Sequence, residues 1–246
     1  MIWQWEGVAG RTFISGTIGV GLGNWRVAMA EAEALRKLRM TELNQLKVRV
    51  TRRRKLKSAP KRMRRVAGID IVTTMEAGKA HAAVCLVSFP RMQTLEEAIA
   101  TDEIDRVLYA DVGNAVFVPL IMNVLKMLKR SPDVIVVREL SLRDEIPISA
   151  YVGVIAGKPS IGVSERGTGF RTRKGPDRVK VAGPVKIRGH RTPLAVIAGH
   201  LVTFKDAERI VKSLTKETRM PDPVRGAGLR VRAWEREWRR LNLSAR

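Results

Sequence analysis

The stretch that most limits what this chain can fold into is Arg64–Thr74, RRVAGIDIVTT. It reads as a short buried strand, because β-branched residues such as Ile69 and Ile71 fit a pleated, packed surface. Asp70 stands between those two isoleucines, which puts a carboxylate at or beside a core. A buried carboxylate needs a metal, a cation or several hydrogen-bond donors. The partner that Asp70 finds therefore separates an enzyme from a binding protein.

Charge is the strongest global constraint. The 246 residues carry a net charge of +22. It is localised: Arg26–Arg65 holds 15 Lys/Arg against 3 acids, Arg166–Arg191 holds 9 against 1, and Arg219–Arg246 holds 8 against 3. The remainder is close to neutral, so a globular body wears three basic segments. Such self-repulsion goes unrewarded unless a polyanion neutralises it, which points to nucleic acid. No basic amphipathic helix with an aromatic face argues for a membrane surface, and no apolar run is expected to reach the roughly 18 residues of a membrane span. A lone cysteine, Cys85, excludes a disulfide framework and a cysteine-rich zinc site, and favours an intracellular setting.

Met1–Trp25, rich in glycine, suggests no function. Ala28–Lys57 reads as a helix with Leu35, Leu38, Leu43 and Leu46 near helical spacing, ending in a basic arm stopped by Pro60. Arg65–Thr74 and His81–Phe89 predict a hairpin around Gly78, with a further strand at Thr94–Ala100. The acids of Asp102–Asp111 suit an exposed loop and a helix start. Gly113–Lys129 predicts one helix, with Pro119 tolerated near its start. Asp133–Val137 has the look of a central strand buried on both faces. A short helix at Ser149–Ala156, a strand at Ser160–Val163 and a flexible basic loop at Arg166–Arg178 follow. Arg178–Arg188 alternates basic with apolar residues, and Leu194–Ala198 predicts another buried strand. Thr203 caps a helix running to Lys216. Trp234 and Trp238, one helical turn apart, suit packing on the body better than base stacking.

This order of elements resembles the endonuclease V family over Ala28–Gly228. The resemblance rests on the VAGID strand (Val66–Asp70), PDVIVV (Pro132–Val137), YVGVIAGKPSIGV (Tyr151–Val163), Ala198–Val211 and the MPDPVR segment (Met220–Arg225). It implies an RNase H-like α/β fold, a mixed sheet led by an antiparallel hairpin, with flanking helices and basic terminal extensions. It also implies a Mg²⁺-dependent phosphodiesterase cutting near deaminated purines such as inosine. In that chemistry neighbouring strands supply acids that hold metal over the scissile phosphate. Asp70 matches the first acid and His200 the late histidine. The second acid falls on Arg138, where a DGHG motif reads RELS. The glutamate of the central helix falls on Val118 or Pro119, and the lysine falls on Glu165. Of the segment that wedges beside the lesion, Tyr109 remains.

The sequence thus predicts residues 1–27 as an extension, 28–228 as an endonuclease V-like domain and 229–246 as a basic helix or tail. Asp70 and Arg138 are expected to form a salt bridge in place of the metal site. Glu139, Asp111, Asp144 or Glu145 could replace the lost acid, although strand alternation turns Glu139 away from Arg138. His81 and His190 have no ligand spacing with His200. The preferred reading is a nucleic-acid-binding protein, with RNA favoured over DNA, no cofactor and no active nuclease centre. A place in a ribonucleoprotein such as the ribosome is compatible with the basic extensions. The cations expected to grip the backbone are Arg52, Arg53, Arg54, Lys55, Lys57, Lys61, Arg62, Arg64, Arg171, Arg173, Lys174, Arg236, Arg239 and Arg240. The alternative is an active Mg²⁺-dependent endonuclease on inosine-containing RNA or DNA, with a rearranged ligand set.

Overall fold

The computed structural model describes residues 22–60, 62–142, 144–175, 179–216 and 218–243. Residues 1–21, Lys61 and residues 176–178 of the basic loop lie outside them. The chain divides into an N-terminal unit, 1–39, and a body, 40–246. Helix α1 (Leu22–Arg53) supplies the described part of the first and the opening element of the second.

The body is built on one mixed sheet of eight strands. The predicted hairpin opens it. β1 (Arg65–Thr74) and β2 (Lys79–Ser88) pair antiparallel around a tight turn in which Gly78 takes φ +61°, a conformation glycine adopts without steric cost. β3 (Thr94–Glu103) extends the meander and runs three residues past its expected end. β4 (Val134–Arg138) then lies parallel to β1, and β5 (Ser160–Ser164) parallel to β4. β8 (Leu194–His200) returns antiparallel to β5, followed outward by β7 (Lys180–Val185) and β6 (Arg173–Lys174). The loop expected at Arg166–Arg178 thus contains a short edge strand, and the strand expected over Arg178–Arg188 is shorter than its alternation suggests.

Side chains alternate across the sheet, and this alternation decides what reaches the site. Val66, Val134, Val136, Ile161 and Val163 face a core completed by α5 (Phe204–Leu214) and α6 (Asp222–Leu243). Ala67, Ile69, Ile135 and Val137 face the opposite core, completed by α3 (Val118–Lys126) and α4 (Ile148–Ala156). Each large apolar side chain buried there contributes about 1.5–3 kcal/mol. As expected, Thr203 caps α5, accepting the Asp206 N–H at 3.1 Å.

The stretch expected to be one helix from Gly113 is broken. α2 (Arg106–Val112) ends at Gly113, whose φ is +60°, and a 3-10 turn over Gly113–Phe117 leads into α3. Pro119 sits in the first turn of α3, where its missing N–H costs nothing. Leu108–Lys126 is also more apolar than the sequence reading allows: its 19 residues have a mean hydropathy of 1.5, enough by length and composition to cross a membrane. Here the stretch packs Leu108, Phe117, Leu120, Ile121 and Val124 out of solvent. The expected boundary at 228/229 falls inside α6, a continuous helix whose first turns lie directly on β1.

Candidate functional site

Register brings Asp70 and Arg138 together. Ile69 of β1 pairs with Val137 of β4, so one step further along these parallel strands come Asp70 and Arg138. Both lie on the face covered by α6. Arg138 Nη1 donates to Asp70 Oδ2 at 3.1 Å, the expected salt bridge. A second cation joins it from α6: Arg232 Nη2 donates to the same oxygen at 3.3 Å. Asp70 Oδ1 accepts the Ile71 N–H at 2.8 Å. The Asp70 side chain is 2% exposed. Burial lifts its carboxyl above the usual range, while Arg138, Arg232 and the Ile71 amide pull it back down.

Glu165, just past the end of β5, completes the cluster. Its Oε2 accepts from Arg138 Nη2 at 2.8 Å, so Arg138 sits between two carboxylates. The residues at the two positions where the resemblance expects an acid and a lysine, Arg138 and Glu165, thus neutralise each other directly.

Arg232 is the member that sequence reasoning misses. Its approach depends on Gly228, one turn earlier in α6: a Cβ there would stand 2.5 Å from Asp70 Oδ2 and 2.9 Å from Arg232 Nη1. Likewise a Cβ on Gly68 would collide with the Pro223 backbone at 2.1 Å. Glycine on both elements lets α6 lie against β1. The available signal is a pair of glycines, Gly226 and Gly228, inside a helix where they are otherwise unfavourable.

The other candidate acids do not reach Asp70's oxygens. Glu139 points to the opposite face, where its carboxylate accepts the Ile148 and Ser149 N–H groups at 2.9 and 3.0 Å and caps α4. Burial pushes its pKa up to about 7. Asp144 accepts the Asn114 N–H at 2.9 Å, Glu145 pairs with Lys47 at 2.7 Å, and Asp111 is exposed. Val118 is buried against Val50, Ala150 and Tyr151, while Pro119 is exposed. His200 is not a neighbour of Asp70. It pairs with Ser160 at the opposite end of β5, three strands and about 14 Å across the sheet. Its Nδ1 accepts the Lys55 N–H at 3.1 Å, so it anchors the basic arm. His81 is buried between Thr74, Thr101 and the tilted ring of Trp238.

This donor set does not fit Mg²⁺. An ion would have to take Asp70 Oδ2 from two guanidiniums that repel it. Among the described residues no group of three or more His, Cys, Asp or Glu side chains converges on one point.

Beside the cluster lies a cleft of about 800 Å³ lined by Tyr109, Leu140, Ser141, Phe170, Arg171 and Arg173, among others. The remaining candidate cations are spread over several elements of the body. Arg171 and Arg173 line the cleft, and Lys174 is exposed at the end of the edge strand β6. Arg173 stacks over Phe170 at 5.5 Å and donates to the Leu142 carbonyl. The arm carrying Lys55, Lys57, Arg62 and Arg64, all exposed, passes His200 at the end of β8 and Asp133 just before β4. Arg52 and Arg53 are exposed in the last turn of α1. Three expected contacts are already engaged within the protein. Arg54 donates to the Ala198 and Gly199 carbonyls, Arg239 pairs with Glu235 and Glu76, and Arg240 pairs with Glu237. Arg236 stays exposed. Trp234 Nε1 donates to Thr101 at 3.0 Å, so both tryptophans serve the docking of α6.

Comparison with known proteins is consistent across sequence and structure. Among curated proteins the chain is 26% identical over 179 residues to endonuclease V of Roseiflexus sp. (strain RS-1), covering 67% of this chain and 79% of the relative. It is 28% identical over 182 residues to endonuclease V of Nocardia farcinica, covering 68% and 80%. Among solved structures, Ciona intestinalis endonuclease V in complex with a 24mer DNA containing an inosine superposes with a TM-score of 0.68 at 17% identity, covering 82% and 99%. The Bacillus subtilis enzyme gives 0.67 at 18%, covering 82% and 94%. The family profile described as Endonuclease V matches residues 44–229, and the chain belongs to the endonuclease V family.

Proposed function

We propose that this chain binds nucleic acid on an endonuclease V scaffold without hydrolysing it. The observation that carries the reading is the state of Asp70. Its carboxylate is held by Arg138 and Arg232, and the positions where the resemblance expects further acids hold Arg138 and Val118 or Pro119. The net charge of +22 and the exposed cations of the arm and the cleft support a polyanionic partner. The cleft, with Tyr109 and Phe170 among three arginines, has the chemistry to take an unstacked base beside a phosphate backbone. RNA is the favoured ligand, and a role within a ribonucleoprotein is compatible with the basic extensions.

A second reading has its own support. Relatives over two thirds of the chain carry the name endonuclease V, and the Ciona enzyme was crystallised on inosine-containing DNA. An active Mg²⁺-dependent endonuclease on such substrates follows from that kinship. The deciding assay offers inosine-containing RNA and DNA to the protein with Mg²⁺ or Mn²⁺, beside Asp70→Ala. Binding without cleavage is the expected result. Cleavage that disappears in Asp70→Ala would establish the second reading instead.

A further inference from the structure

We propose that the cluster around Asp70 has become a metal-free phosphodiester site, in which Arg138 and Arg232 hold the phosphate and Glu165 occupies its place until it arrives. The proposal rests on the nucleic-acid-binding reading above and deepens it.

The geometry has three parts. Two guanidiniums converge on a single oxygen, Asp70 Oδ2, at 3.1 and 3.3 Å. Like charges are thereby held side by side, and one buried carboxylate cannot neutralise both. The second negative charge comes from Glu165, which bonds Arg138 at 2.8 Å.

The two acids differ in freedom. Asp70 is 2% exposed and carries an amide bond besides its two arginines, so it stays. Glu165 is 44% exposed and is held by Arg138 Nη2, so it can swing into water at little cost. Once it leaves, Arg138 presents free donors next to Arg232, which is itself 42% exposed. A phosphodiester carries the same single negative charge as Glu165, and its two non-bridging oxygens match a pair of guanidiniums in shape. Arg138 is two residues from Leu140 and Glu165 precedes Arg166, both in the wall of the cleft. A phosphate held by Arg138 therefore brings its nucleotide to the cleft mouth. The positive charge that a metal would bring is here part of the protein, and Glu165 sets how strongly it is felt.

The test measures binding of a short fluorescein-labelled single-stranded RNA, and of DNA of the same sequence, by anisotropy in EDTA across a salt series. Glu165→Gln keeps the size of the side chain and removes the competing charge. It should bind about fivefold tighter, with the salt slope steeper by about 0.7, the value for one more phosphate contact on a single strand. Arg232→Gln leaves Asp70 paired with Arg138. It should bind more weakly, with the slope shallower by a similar amount. Urea unfolding of both variants separates lost binding from lost fold. Wild-type binding that ignores both substitutions, or that needs a divalent ion, overturns this site while leaving nucleic-acid binding intact. No binding by the wild type in any salt overturns both.

Discussion

Neutralising Asp70 should destabilise this protein, and the sign is informative. In a metal centre made of several acids, removing one relieves repulsion in the metal-free state. Here Asp70 is the anion between two arginines, so Asp70→Asn leaves cations facing one another. The expected loss is about 3 kcal/mol, the lower end for a broken buried pair, because both guanidiniums keep some access to water. Urea unfolding checks it, and equal or greater stability in Asp70→Asn would contradict an Asp70 held by two arginines. Glu139 supplies a pH signature of opposite origin. Its pKa is raised from 4.5 to about 7 by burial. The folded protein thus binds this proton more tightly than the unfolded chain. The stability it contributes is present in full below about 4.5 and declines as pH rises to about 7, by about 3 kcal/mol in all. Glu139→Gln cannot titrate. Its unfolding free energy should lose that downward slope, at a cost of about 1 kcal/mol for one imperfect cap contact. Denaturant curves across this pH range, wild type against variant, decide it.

Among the elements, α6 joins the site to the rest of the fold. Gly228→Ala tests its seating. Alanine favours a helix by about 1 kcal/mol over glycine, yet the new methyl would stand 2.5 Å from Asp70 Oδ2. Overpacking of that kind costs about 1–3 kcal/mol and prevails, so the variant should unfold at lower urea. A gain in stability would mean that α6 sits farther from β1. Elements made by local pattern are well legible in the sequence. The Gly78 hairpin, the β-branched run of β4 and the Thr203 cap each follow from a few adjacent residues. The Asp70–Arg138 pair is legible for a related reason, since both follow apolar runs that become neighbouring parallel strands. Arg232 is not. It lies 162 residues from Asp70, and its helix looks from sequence like a basic tail. His200 stands two residues past the strand expected at Leu194–Ala198 and ends β8. Only the register puts it at the far end of β5. The break at Gly113 is hidden because Gly113 and Pro119 both suit the start of a helix.

In the molecule as a whole, the exposed cations of the arm and the arginine cluster at Asp70 lie at opposite ends of β4. β4 separates them: Arg64 binds Asp133 just before its first residue, and Arg138 is its last, about 13 Å further on. This distance has a consequence for binding. Contacts within one patch share a phosphate or a counterion and lose their effects non-additively, whereas sites more than about 10 Å apart act independently. Removing the arm charges with Lys57→Gln, Arg62→Gln and Arg64→Gln should lower the salt slope on single-stranded RNA by about 2, roughly 0.7 for each lost contact. Combining these changes with Arg232→Gln should give the sum of the separate losses in log K. Anisotropy titrations of the four proteins at several salt concentrations supply the cycle. Additive losses mean that one nucleic-acid strand, or two, engages the arm and the Asp70 cluster at once. If the arm substitutions change nothing while Arg232→Gln still weakens binding, the arm is a structural strap. Its hydrogen bonds to His200, Asp206 and Asp133 would then account for its presence. The strap also explains why Arg54, in the middle of the most basic run, turns inward to carbonyl oxygens. A dense run of arginines here divides its work between holding β8 and facing the ligand, and charge density alone does not separate the two.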